Sequence, residues 1–279
     1  MFSLEGKVVI VTGGTGILGG AFVKAIAKAG GVAVILGRNE KIAVQRTEEI
    51  IASGGKAFPV IANVLEETDL IVARDLVLEK YGSIDGLVNA AGGNVPEGVL
   101  QPGADIFSLN MGGMKKAMEL NLWGTLMPTQ VFGAVMAKNG GGSIVNISSV
   151  SAQHSVTRVL GYSMGKAAVD CYTKWFAVEV ANRFGDAIRV NSIMPGFFLT
   201  EQNRTLLTQS DGSYTERGNA VIKQTPFKRF GSPDELTGAL VYLLSDASRF
   251  VTGSQIGVDG GFTVFSGCKH FQLYLIKLV

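Results

Sequence analysis

The sequence predicts a doubly wound α/β fold, a parallel sheet with helices on both faces. Three observations predict it. Apolar runs of strand length recur along the chain, helical periodicity fills most of the gaps between them, and the first run leads directly into a glycine-rich turn. Strands that read as continuous Val/Ile runs are buried on both sides, as happens when crossover helices cover both faces of a parallel sheet.

Taken in order, the strand-length runs are Val8–Thr12, Val32–Leu36, Ala57–Ala62, Ile84–Asn89, Ser143–Ser148, Ile188–Ile193 and Ser254–Val258. Helical patterns lie at Ile17–Ala29, Glu40–Ser53, Thr68–Tyr81, Met114–Lys138, Tyr162–Phe184 and Pro233–Leu244. Ser232 is placed to cap the last of these, with Pro233 at its first helical position. Clusters among the 37 glycines punctuate the turns. Residues 197–230 break the rhythm with polar residues and weak periodicity, which reads as a lid or substrate loop.

A chain of 279 residues, 47% hydrophobic and 17% charged, suffices for one large domain spanning 1–279. A formal net charge of +2 and the lack of a basic cluster argue against nucleic acid as a partner. The start of the chain shows no signal-peptide pattern, so a cytoplasmic location is expected. Cys171 and Cys268 are distant and without a partner motif, so both are read as reduced thiols and no metal is expected. The tail, 266–279, includes the apolar stretch Phe271–Val279. That stretch is too short to span a bilayer and is expected to pack on the fold or on another subunit, or to stay unordered.

In such sheets ligands bind beyond the carboxyl ends of the strands. Those ends carry the turn Thr12–Gly19, the run Asn89-Ala90-Ala91-Gly92, Ser148-Ser149 and Pro195-Gly196. Gly14, Gly16 and Gly19 of the turn fit Gly-x-Gly-x-x-Gly between a strand and a helix. That pattern lets backbone approach a pyrophosphate, whose charge the helix N-terminus stabilises. The second strand ends Leu36-Gly37-Arg38-Asn39, with no acidic side chain to grip a ribose diol. Arg38 suits a 2′-phosphate, which favours NADP over NAD.

Tyr162 and Lys166 stand four positions apart in a helical pattern and so share a face, with Ser149 thirteen residues upstream. A phenol needs a neighbouring ammonium to become a base at neutral pH, so Lys166 is expected to lower the Tyr162 pKa. Removing a hydroxyl proton as a hydride leaves carbon is work for Tyr162, and Ser149 can donate to the developing oxyanion.

With the glycine turn, Asn89-Ala90-Ala91-Gly92, Asn121, Ser149, Tyr162, Lys166, Pro195-Gly196 and Val258-Asp259-Gly260-Gly261 in order, residues 4 to 265 resemble the short-chain dehydrogenase/reductase family. The resemblance implies a Rossmann fold with seven parallel strands, assembled as a homotetramer, that moves a hydride between a nicotinamide and a carbonyl or alcohol. It makes Tyr162 the general acid/base and Ser149 the binder of the carbonyl oxygen. Lys166 would hold the nicotinamide ribose, Asn121 would support a water relay and Thr200 would contact the carboxamide. The expected cofactor contacts are Gly13, Thr15, Gly16, Ile17, Leu18, Gly19, Arg38, Asn39, Asn63, Val64, Asn89, Ala90, Ala91, Gly92, Tyr162, Lys166, Pro195, Gly196, Phe198 and Thr200. Two departures stand out. The middle glycine, Gly16, comes one residue early, and Asn63 replaces the aspartate that commonly touches adenine.

The loops suggest the substrate. Asn94, Ser151, His154, Arg158, Asn203 and Arg204 are the candidate contacts, and their polarity suits a small-molecule sugar acid better than a steroid. The segment Pro195–Arg204 and the lid resemble the branch that interconverts D-fructuronate and D-mannonate. Gluconate-type polyol dehydrogenases and 3-oxoacyl thioester reductases remain as alternatives, and a non-catalytic nucleotide-binding regulator is the reading from a different class.

Overall fold

The computed structural model describes residues 1–200 and 204–267. The strands β1 (Val8–Thr12), β2 (Val32–Gly37), β3 (Lys56–Ile61), β4 (Gly86–Asn89), β5 (Gly142–Ile147), β6 (Ile188–Pro195) and β7 (Gln255–Val258) form one parallel sheet in the order β3-β2-β1-β4-β5-β6-β7. The order reverses between β1 and β4, which opens the crevice where such sheets bind ligands. Register levels the carboxyl ends: Thr12 lies between Leu36 and Asn89, and Asn89 pairs Asn146.

The helices are α1 (Ile17–Lys28), α2 (Glu40–Ala52), α3 (Glu67–Tyr81), α4 (Met111–Met118), α5 (Gly124–Lys138), α6 (Leu160–Phe184), α7 (Arg204–Leu207), α8 (Glu216–Gln224) and α9 (Thr237–Leu244). Alternate residues of β1 feed two cores. Val8 and Ile10 pack with α3, α5 and α6, whereas Val9 and Val11 pack with α1, α2 and α9. Among the described residues no helix is long and apolar enough to cross a membrane.

Three expectations change. The helix expected over Met114–Lys138 is interrupted by a π turn at Glu119–Trp123. Nδ2 of Asn121 takes the Ala117 carbonyl at 2.7 Å, the acceptor an α-helix would give to its own amide, so the backbone widens there. Residues 197–230 are also more regular than their polarity suggests. Thr215 caps α8 by accepting from Gly218 N–H at 3.0 Å, and Leu207, Val221 and Phe230 form a small separate core. The last expected helix opens as a 3-10 turn, Pro233–Leu236, before α9. Asn203, Cys268 and the stretch Phe271–Val279 lie outside the described residues.

Candidate active site

The turn after β1 is closed by close approach. Gly13 has φ +65°, and a Cβ on it would stand 2.8 Å from the Ala90 carbonyl. A Cβ on Gly19 would stand 2.1 Å from the Gly13 carbonyl. Only glycine fits at either position. Thr12 Oγ1 accepts from the amides of Ala90 and Ala91, both at 3.1 Å, and so fixes the β4 turn against the glycine turn. The amides of Thr15 and Ile17 have no acceptor among the described residues.

Several expected cofactor contacts are occupied otherwise. The Asn89 side chain is fully buried and donates to Thr129 and Asn146, both at 2.9 Å, which ties the sheet to α5. Val64 and Phe198 are buried in the two cores, so their side chains face away from solvent. Asn39 caps α2 by accepting from Ile42 N–H. Oδ1 of Asn63 accepts from Leu65 N–H, and its own N–H donates to Asp69. Arg38 is exposed at the end of β2. Leu18 packs partly on the core, and Gly16 is exposed at the start of α1. Pro195 ends β6, Gly196 donates to the Val258 carbonyl at 2.9 Å, and Thr200 follows half-buried.

Asn121, Ser149, Tyr162 and Lys166 converge. Ser149 lies two residues beyond the end of β5, and its side chain acts on the Tyr162 phenol. Lys166 is buried, donates from Nζ to the Ile147 carbonyl at 2.7 Å, and lies 5.7 Å from the Tyr162 ring centroid. Asn121 clips Gly93 from both sides, accepting from its N–H at 3.0 Å and donating to its carbonyl at 2.8 Å. A Cβ on Gly92 would meet Asn121 Oδ1 at 2.6 Å and Lys166 Nζ at 3.2 Å, so this glycine lets the two side chains close up.

The expected lowering of the Tyr162 pKa is corrected by this geometry. Burial pushes the phenol above its ordinary value, and the Ser149 hydrogen bond pulls it only partly back. Burial also brings Lys166 down to about 8, with Asp170 opposing. One donor of its ammonium goes to the Ile147 carbonyl, and burial disfavours the charged form that would otherwise stabilise a phenolate.

A cavity of about 290 Å³ lies beside these groups. Ser151, His154 and Arg158 line it, together with Ser163 next to Tyr162, but neither Ser149 nor Tyr162 itself does. Leu100, Ile106, Leu109 and Val156 give it an apolar wall that the polar loop composition had not suggested. Asn94 is exposed and Arg204 heads α7, and neither lines the cavity. Arg158 has φ +76°, unusual for a side-chain-bearing residue. It is held there by Leu100, whose N–H donates to the Arg158 carbonyl at 2.9 Å and whose carbonyl accepts from Arg158 Nε at 2.7 Å.

The family profile described as enoyl-(acyl carrier protein) reductase matches residues 15–263. The chain belongs to the short-chain dehydrogenase/reductase family. An uncharacterized oxidoreductase of Bacillus subtilis, UxuB, is 38% identical over 274 residues, covering 95% of this chain and 98% of that protein. A crystal structure from Haemophilus influenzae, provisionally described as a D-mannonate oxidoreductase with bound NAD, is 37% identical with TM-score 0.88. The match covers 95% of this chain and 98% of that one. The gluconate 5-dehydrogenase of Burkholderia cenocepacia, solved with NADP and tartrate, is 32% identical with TM-score 0.82, at 95% and 98% coverage.

Members of this dehydrogenase/reductase family are NAD(P)-dependent oxidoreductases, and the residues here fit that cofactor. Gly13, Gly14 and Gly19 leave no room for a side chain, and the Thr15 and Ile17 amides, without an acceptor among the described residues, could meet a diphosphate. A lysine ammonium has three donors, of which Lys166 gives one to Ile147, leaving two for a ribose diol. One contributor escaped the sequence reading. Arg46 of α2 donates from one guanidinium nitrogen to the carbonyls of Gly14 and Gly16, the latter at 2.7 Å. A lone arginine on an amphipathic helix carries no signal of such a contact.

Proposed function

We propose that this enzyme interconverts a hydroxyl and a carbonyl on a small carboxylate-bearing sugar derivative, with Tyr162, Ser149, Lys166 and Asn121 as its catalytic set. One observation carries the substrate class. Arg158 lines the cavity beside the catalytic pair and has no ion-pair partner among the described residues. Only its Nε is engaged, which leaves the terminal guanidinium donors for an anion, and Arg forks match carboxylates in two parallel hydrogen bonds. The relatives described as a D-mannonate oxidoreductase and a gluconate 5-dehydrogenase support that reading.

The chemistry follows from the positions. The cofactor supplies or takes the hydride. Ser149 donates to the substrate oxygen as charge builds on it. Tyr162 hands over or removes the proton at that oxygen, and its raised pKa keeps the phenol protonated, the state needed for carbonyl reduction. Lys166 holds the ribose through its two remaining donors. Asn121 fixes the Gly92-Gly93 backbone that borders both.

Arg38, exposed beyond β2 with no carboxylate between Leu36 and Asn39, supports NADP as the preferred cofactor. The exposed Trp175, Val178 and Phe184 of α6 support assembly with further copies as a homotetramer. The apolar wall of the cavity favours a second reading, reduction of a 3-oxoacyl thioester. A panel of uronates, ketogluconates and 3-oxoacyl thioesters, each with NADH and NADPH, separates the two. Turnover confined to acyl thioesters would overturn the sugar-acid reading. In the same panel Arg158→Met should weaken binding of acidic sugars by roughly 1.5–3 kcal/mol, the scale of a hydrogen bond to a charged group. Equal performance of that variant on acidic and neutral substrates would remove Arg158 from the role.

A further inference from the structure

Arg46 reaches from α2 to the back of the glycine turn. Its Nη1 donates to the carbonyls of both Gly14 and Gly16. In a trans peptide the carbonyl and the N–H of one unit point in opposite directions. The Gly14 carbonyl shares its peptide with the Thr15 amide and the Gly16 carbonyl with the Ile17 amide. Holding both oxygens on the α2 side therefore turns both N–H groups to the other side, where they have no acceptor among the described residues. A cation on a carbonyl also polarises its peptide and strengthens the N–H as a donor. Glu49, one turn further along α2, forms its ion pair with Lys24 at 3.2 Å and acts on Arg46 through its charge alone.

A second residue makes this contact possible. A Cβ on Gly20 would stand 2.8 Å from Arg46 Cζ and 3.0 Å from each of its terminal nitrogens. Gly20 is inside α1, where glycine is an unfavourable choice by about 1 kcal/mol relative to alanine. Its cost is offset by the room it leaves for the guanidinium.

We infer that Arg46 is a positioning residue for the cofactor, its guanidinium bracing the Gly14 and Gly16 carbonyls so that the Thr15 and Ile17 amides face the dinucleotide diphosphate. The inference rests on the cofactor reading of the glycine turn. Because the diphosphate is common to NAD and NADP, Arg46 acts on both alike.

The test is direct titration of NADH and NADPH into the full-length protein and its variants. Wild-type protein must bind at least one of them. If it binds neither, the cofactor reading itself fails and this inference falls with it. Arg46→Met is expected to raise both dissociation constants by roughly tenfold, the scale of losing a charge-assisted hydrogen bond, and Arg46→Lys to restore part of the loss. Gly20→Ala keeps the charge but pushes the guanidinium off the turn, so it should weaken both cofactors without lowering the melting temperature of the ligand-free protein. In the Arg46→Met background, Gly20→Ala should cost nothing further. Unchanged affinities in Arg46→Met and Gly20→Ala overturn the proposal. So does a loss confined to NADPH, which would make Arg46 a ligand of the 2′-phosphate. Independent, multiplying effects of the two substitutions overturn it as well. If Arg46→Met does not fold, Gly20→Ala alone decides.

Discussion

Lys166 donates from Nζ to the Ile147 carbonyl at 2.7 Å, joining α6 to the end of β5 at the point where Ser149 follows. The bond leaves the ammonium buried, and burial brings its pKa down to about 8. Below that pH the group has three donors. Above it the neutral amine has two and loses its charge. Cofactor affinity should therefore fall as pH rises through about 8, and Lys166→Arg should abolish the inflection because guanidinium stays charged. Titration of NAD(P)H across that interval checks this, and a flat wild-type profile would contradict it. The folded chain also releases this proton before the unfolded chain does. The Lys166 contribution to stability of the ligand-free protein therefore rises with pH between about 8 and the ordinary lysine value of 10.5.

Tyr162→Phe deletes only the phenolic oxygen. Turnover should fall by about 10²–10⁴, the usual worth of a general acid/base, while cofactor affinity changes little. Steady-state rates alongside cofactor titration separate the two effects, and near-normal turnover would end the proposed role of Tyr162.

Ser149 Oγ accepts from both the N–H and the Oγ of Ser151, at 3.2 and 3.1 Å. With both lone pairs engaged, its own hydrogen is directed outward as a donor. Ser151→Ala removes one of these bonds and should lower kcat by roughly three- to tenfold with KM little changed. The same change in a Ser149→Ala background should have no effect. Equal losses in both backgrounds would separate Ser151 from Ser149.

At Gly37 an added Cβ would lie 2.5 Å from Thr15 Oγ1 and 3.2 Å from Thr15 Cβ, so a carboxylate cannot be introduced there without moving the glycine turn. Arg38 is exposed and tolerates change. Arg38→Leu should cost kcat/KM with NADPH at least about tenfold, the loss of a charge-assisted contact, and leave NADH nearly unaffected. Parallel kinetics with both cofactors decide it, and an equal change in both would remove Arg38 from the 2′-phosphate.

The strands were legible in the sequence, and each falls within about two residues of its expected bounds, because the central strands, buried on both faces, are largely apolar and the edge strands β3 and β7 still carry short apolar runs. The π turn was not legible. Asn121 is one polar residue in a helical pattern, and its effect arises only because Gly93, from another part of the chain, takes up the rest of its amide. Helix α8 was missed because its composition is polar and it buries only Gly218 and Val221.

The sequence by itself determined the sheet and the glycine turn and singled out Tyr162, Lys166 and Ser149 by spacing and Asn121 by family resemblance, since apolar runs and short-range spacings record contacts that are local or shared by whole elements. Tertiary structure alone decided the electrostatics and the supporting contacts. Burial raises the Tyr162 pKa and lowers that of Lys166, and Asn89 turns into the protein toward Thr129 and Asn146. Arg46 meets a turn 30 and more residues away in sequence. Desolvation and long-range hydrogen bonds depend on which surfaces meet, and no spacing along the chain encodes that.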